Sequence, residues 1–263
     1  MNRSPTQLRR ASALFVGALL LASACGSDDD TSSSESTSAP APAETSQAPD
    51  STSTPAATDN PTESSAPSAD ASSFKAEVWA DNWFALYANG ELVGEDSVPI
   101  TTERSFNSET FTFEATYPLT IAIEAKDFKE TDSGIEYIGQ QKQQMGDGGL
   151  IAQITDTTTG EVIAVTDGEW ATLVIHRAPL NTDCEKDADP DATCQYEITT
   201  PPADWAEPGF DDSGWSTATV WSEADVSPKD GFDEIAWDPA ADLIWGTDLE
   251  VDNTVLVRVT ISG

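Results

Sequence analysis

Three cysteines and a single histidine are the only thiol and imidazole side chains in this 263-residue chain, and their spacing limits what they can do. Cys184 and Cys194 lie in one polar run, TDCEKDADPDATCQYE, and an even pair of this kind in an exported protein reads as a disulfide. Closing a loop of about ten residues is worth roughly 2 to 3 kcal/mol on the chain-entropy argument, enough to pin a protruding loop. Two free thiols or a metal site are the alternatives, but no C-x-x-C pair is present and His176 is the only imidazole. There is no G-x-S-x-G elbow, so serine and cysteine nucleophile chemistry has little to stand on. A glycosidase needs two carboxyls at a fixed separation, and no pattern singles out such a pair among 47 acids. The chain reads as a non-enzyme. Those 47 acids face only 12 Lys and Arg, a formal net charge of −35. A surface of that sign repels phosphate backbones and excludes nucleic acid as a partner, while divalent cations are its natural counter-charge.

Cys25 has a different setting. Arg3, Arg9 and Arg10 precede an apolar run, Ala11 to Leu21, and Ala22, Ser23 and Ala24 supply the small residues a signal peptidase needs. The apolar run is shorter than the roughly 20 residues that span a bilayer. A cysteine directly after the small residues resembles the lipobox of bacterial lipoproteins, which implies that the Cys25 thiol is acylated and becomes the mature N-terminus. Residues 1–24 are then a lipoprotein signal peptide, and the protein is extracytoplasmic, held to the cell membrane by an N-terminal lipid alone. An ordinary secreted protein with a cysteine at its cleavage site is the alternative.

From Gly26 to Ser73 the chain has no aromatic residue and no Val, Ile, Leu or Met. Such a segment cannot bury enough apolar surface to offset its ordering entropy, so residues 25–73 read as a disordered tether. At the polyproline rise its reach is roughly 150 Å. Residues 74–263 are different: KAEVWA, WFALYANGELVG, TFTFEATY, LTIAIEAKD, GGLIAQITD, GEVIAVTDG, WATLVIH, CQYEITT and TVLVRVTIS alternate apolar and polar residues between turn signals. Asn89-Gly90 and Thr159-Gly160 mark two hairpins. No stretch keeps a helical period for three turns. The fold class expected is all-β, a two-sheet antiparallel β-sandwich of the jelly-roll type.

The order of motifs in this domain carries a resemblance. Asp81, Asn82, Phe84, Leu86, Tyr87, Asn89 and Gly90 are followed by Thr166, Asp167 and Trp170. Phe210, Asp211, Asp212, Ser213 and Trp215 come next, and Ile244, Trp245 and Arg258 close the series. This succession resembles the galactose-binding-like jelly-roll modules found beside bacterial α-L-rhamnosidases. The resemblance implies a carbohydrate-binding module, with Asp81 and Asn82 as ligands of a calcium ion that also grips sugar hydroxyls. A carboxylate beside an amide oxygen suits that hard cation. The alternative is that Asp81 caps the strand-entry turn and Asn82 makes a local bond. Trp83 adjoins the pair and would offer an indole face to a sugar, and Trp205, Trp221 and Trp237 are further candidates for exposure. Trp79, Trp170, Trp215 and Trp245 read as buried, and the DDSGW segment reads as scaffolding. Asp132 and Asp147 are further acids in turns, and the loop from Gln140 to Met145 and the disulfide loop are longer than the resembled pattern. The partner expected is a cell-surface or extracellular glycan, or alternatively an envelope protein docking on a purely structural module.

Overall fold

The computed structural model describes residues 71–263; the expected signal peptide, Cys25 and most of the expected tether lie outside that range. Fifteen strands run in chain order. They are β1 (Ser72–Asp81), β2 (Trp83–Ala88), β3 (Glu91–Glu95), β4 (Asn107–Ala115) and β5 (Leu119–Lys126). Next come β6 (Ile135–Glu136), β7 (Gln144–Met145), β8 (Gly149–Asp156), β9 (Val162–Val165) and β10 (Ala171–Arg177). The last are β11 (Glu197–Ile198), β12 (Ser216–Thr217), β13 (Thr219–Trp221), β14 (Leu243–Trp245) and β15 (Asp252–Ile261). Two antiparallel sheets pack face to face: β13-β14-β8-β1-β4 with β9 on β8, and β11-β10-β15-β5-β2-β3 with β12 on β10. The expected antiparallel β-sandwich is present. The described helices are short, the α-helical ones being α1 (Pro190–Thr193) and α2 (Glu223–Val226).

Alternation explains the layers. Phe74, Ala76, Val78 and Ala80 of β1 are fully buried, as are Phe84 and Leu86 of β2, Leu119, Ile121, Ile123 and Ala125 of β5, and Val255 and Val257 of β15. Because successive side chains point to opposite faces, these residues fill the space between the sheets. The β2–β3 hairpin turns at Asn89 (φ 50°) and Gly90 (φ 87°), the left-handed pair a type I′ turn requires. Asn89 also fits by bonding, since its side chain accepts from Thr120 N at 2.7 Å and donates to Thr116 O at 2.9 Å. The segment CQYEITT yields only the two-residue strand β11, where an extended strand was expected.

Both outer faces are covered by long loops, which alternation does not foretell. Over the first sheet, Trp79 of β1 lies against Phe106 and Phe232, and its indole N–H donates to Asp230 O at 3.0 Å. Over the second, the segment leading from β11 to β12 brings Trp205 against Tyr87 and against Trp215. Trp205, Trp221 and Trp237 are therefore half-buried rather than exposed, and Trp215 is half-buried rather than buried. Trp221 and Trp237 pack against the core and donate to Gly246 O and Phe232 O.

Candidate functional site

One end of the sandwich gathers the loops that carry the candidate residues. The register pairs Asp81 with Gly149 and Ala80 with Asn107, and Lys126 lies between Trp83 and Thr254. The ends of β1 and β5 and the starts of β2, β4, β8 and β15 therefore meet there. At this point the chain leaves one sheet and enters the other: Asp81 ends β1, Trp83 begins β2, and the Asp81–Asn82 peptide is cis.

Asp81 and Asn82 are each only 1% exposed. Asn82 is fully engaged: its Oδ1 accepts from Phe128 N at 2.6 Å and its Nδ2 donates to Glu103 O at 3.1 Å. It ties the loop after β5 to the loop before β4. Asp81 is not engaged, because its Oδ2 is buried without a hydrogen-bond partner. The nearest cation is Lys229, whose Nζ stands 3.6 Å from Asp81 Oδ2 and 3.7 Å from Asp147 Oδ1. A second buried acid, Asp127, also has a free Oδ2, packed against the backbone of Gly146 where a Cβ would not fit. Glu136 completes the group, with Oε2 accepting from Gln144 Nε2 at 3.0 Å.

Burial is the chief force on these acids. It raises the Asp81 carboxyl well above its usual range, partly opposed by Lys229, and raises Asp127 likewise with help from the charges of Asp81, Glu136 and Asp147. Glu136 is pushed up to about 7, again by burial first. The donors suit a hard divalent cation, since two carboxylate oxygens have no other partner. Among the described residues, however, no set of three or more Asp, Glu, His or Cys side chains is drawn round a single point.

Beside this pocket the same loops form an open cleft of about 730 Å³, lined by Thr101, Thr102, Glu103, Phe128, Glu130, Tyr137, Gln140 and Lys142 among others. Two of its walls are the segments that Asn82 joins, and the third is the turn between β6 and β7 that carries Tyr137, Gln140 and Lys142. Lys142 Nζ sits 3.2 Å over the Tyr137 ring and 3.6 Å from Glu103 Oε1. Trp83 is not part of the cleft lining. Alternation with buried Phe84 turns it to the outer face of its sheet, where Lys126 Nζ lies 4.4 Å from the ring centre.

Cys184 and Cys194 are joined as a disulfide, buried against Ile135, with Ile138 and Met145 packed on the group. The loop it closes supports the cleft from behind, because Gln143 Nε2 donates to Glu185 O at 2.7 Å and Asp187 O at 2.8 Å. His176 is buried 3.9 Å from Asp132 Oδ1, and burial first, then the charge of Lys129, pushes its imidazole down to about 4. It is neutral at pH 7. Asp212 of the DDSGW segment pairs with Arg258, in keeping with a scaffolding role. Lys229, Asp127, Glu136 and Tyr137 were not singled out from sequence, and no local motif marks them. No family model, curated protein or solved structure matches this chain.

Proposed function

We propose that this chain is an extracytoplasmic lipoprotein, anchored through Cys25, whose sandwich is a galactose-binding-like jelly roll that binds a cell-surface or extracellular glycan without catalysis. Binding is at the loop end, assisted by calcium in the pocket of Asp81, with Asn82 holding the walls of the cleft rather than touching the sugar. The observation that carries this reading is the cleft itself: the aromatic side chains of Tyr137 and Phe128 stand among carboxylate, amide and hydroxyl groups. That mixture of apolar face and hydrogen-bonding groups is what a polyhydroxylated ring takes up. The acidic surface directs the choice away from nucleic acid and toward neutral ligands.

The test is a glycan array probed with the full-length chain in calcium and again after chelation, with Tyr137→Ala and Asn82→Ala as variants. The expected result is retention of a defined glycan class, weakened at least tenfold by either substitution and reduced by chelation. An array that stays blank in calcium, together with recovery of one envelope protein by crosslinking, would replace this reading with protein docking.

A further inference from the structure

Lys229 stands where a bound cation would act, and it does so poorly. Among the described residues it is the single ammonium in ion-pair range of Asp81 and Asp147, while Asp127 and Glu136 add two more carboxyls to the same electrostatic group. Its distances of 3.6 and 3.7 Å exceed those of a formed N–H···O bond. The free oxygen of Asp127 has no partner at all. One loosely placed positive charge therefore stands against Asp81 and Asp147, with Glu136 and Asp127 coupled to the same acids, and two of the four keep buried oxygens that accept nothing.

Lys229 is also free to leave. Its side chain is 37% exposed, and it follows α2 by way of Ser227, which holds a left-handed conformation at φ 51°. The other contact of the ammonium is the face of Phe106, 4.7 Å away. Outside the pocket lies an open hollow of about 490 Å³ lined by Gln144, Gly146, Asp147, Lys186, Lys229 and Glu250, which leaves room for both an entering ion and a departing side chain.

We propose that Lys229 is a tethered competitor for a divalent cation in the pocket formed by Asp81, Asp127, Glu136 and Asp147, so that calcium enters only by displacing the ammonium. This rests on the calcium-assisted reading above and adds the device that sets its affinity. A divalent ion neutralises two carboxylates where the ammonium neutralises one, and it takes up the oxygens that Lys229 does not reach. Among the described residues these carboxylates are not drawn round one point, so binding requires them to close on the entering ion.

The experiment is calorimetric titration of calcium alone into the chelated full-length chain, comparing the native protein with Lys229→Met and Lys229→Arg, with melting temperature followed in parallel. Lys229→Met is expected to bind calcium at least tenfold more tightly than the native chain, and Lys229→Arg no more tightly. A parallel measurement needs no variant: acetylation of Lys229 in the native chain, read by mass spectrometry, should speed up severalfold when calcium is added. Equal or weaker binding by a folded Lys229→Met, or a Lys229 no more reactive with calcium present, overturns the competition while leaving calcium-assisted glycan binding intact. No calcium binding by any of the three proteins overturns both, and the glycan array in chelator then shows whether sugar recognition survives by itself.

Discussion

Two buried charges in this protein are treated in opposite ways. Arg258, 2% exposed in the middle of β15, is surrounded by acceptors: Nη1 donates to Phe210 O at 3.1 Å and pairs with Asp212, and Nη2 donates to Glu207 O at 3.0 Å. Asp81 and Asp127 at the loop end each keep a buried oxygen with no partner. A charge that serves the fold is largely satisfied by its neighbours, here with three bonds to the two Nη atoms and only Nε left without a partner, because an unsatisfied one is expensive to bury. A charge left open at a cleft keeps its capacity for something that arrives from outside. The contrast separates the flap over the second sheet, which is scaffold, from the loop end, which is the candidate site.

The largest test of that contrast is Arg258→Met. It strips the flap of three bonds to a buried cation and should cost about 3 kcal/mol, read as a shift of the urea midpoint. Protease cleavage between Glu207 and Asp212 should rise in step, while calcium binding at the far loops stays unchanged. If the flap stays protected, Arg258 is a passenger and the aromatic stack of Tyr87, Trp205 and Trp215 holds the segment instead.

The open acids predict a pH dependence of unusual sign. Burial pushes Glu136 up to about 7, and it pushes Asp96, in the loop before β4, up to about 6. Both carboxyls hold protons to a higher pH in the folded chain than in the unfolded one. Stability is therefore fully present below the unfolded values, 4.5 and 3.8, and is lost as the pH rises through 6 and 7. Buried His176, pushed down to about 4, acts with the opposite sign up to its unfolded value of 6.5. The fall is therefore read between pH 6.5 and pH 7.5, where the melting temperature in calcium-free buffer should drop by the equivalent of roughly 1 kcal/mol, about 3 °C. Asp147→Asn should flatten part of this slope, because the charge of Asp147 helps to raise Glu136. A melting temperature that climbs over the same interval would mean these acids are already neutralised by a resident cation.

Much of the scaffold was legible because its signals are local. The alternation in LTIAIEAKD and TVLVRVTIS becomes β5 and β15, Asn89-Gly90 becomes the expected turn, and Cys184 and Cys194 meet. Asp81 and Asn82 were marked by their place in a series of motifs, and they do sit at the loop end. What was not legible depends on loops folding back over the sheets. Trp205, Trp221 and Trp237 fall at positions that read as open, yet they are half-buried because such segments cover the outer faces. Lys229, Asp127 and Glu136 come from three separate segments, and nothing in their own neighbourhoods announces that they converge.

Trp83 gives the smallest effect and the finest distinction. As the indole next to Asp81 and Asn82 it is the obvious platform for a sugar, but the pleat turns it away from the cleft. Lys126 lies over this half-buried ring, and a cation on an aromatic face near the surface is worth about 0.5 to 1 kcal/mol. Trp83→Ala should therefore lower stability by about 1 kcal/mol, through that contact and some lost apolar burial. Glycan retention should stay within twofold of the native chain, whereas Tyr137→Ala loses at least tenfold. The reverse ranking of the two variants would move the sugar from the cleft at the loop end to the outer face of β2, and with it the role of the aromatic cover that Arg258 holds in place.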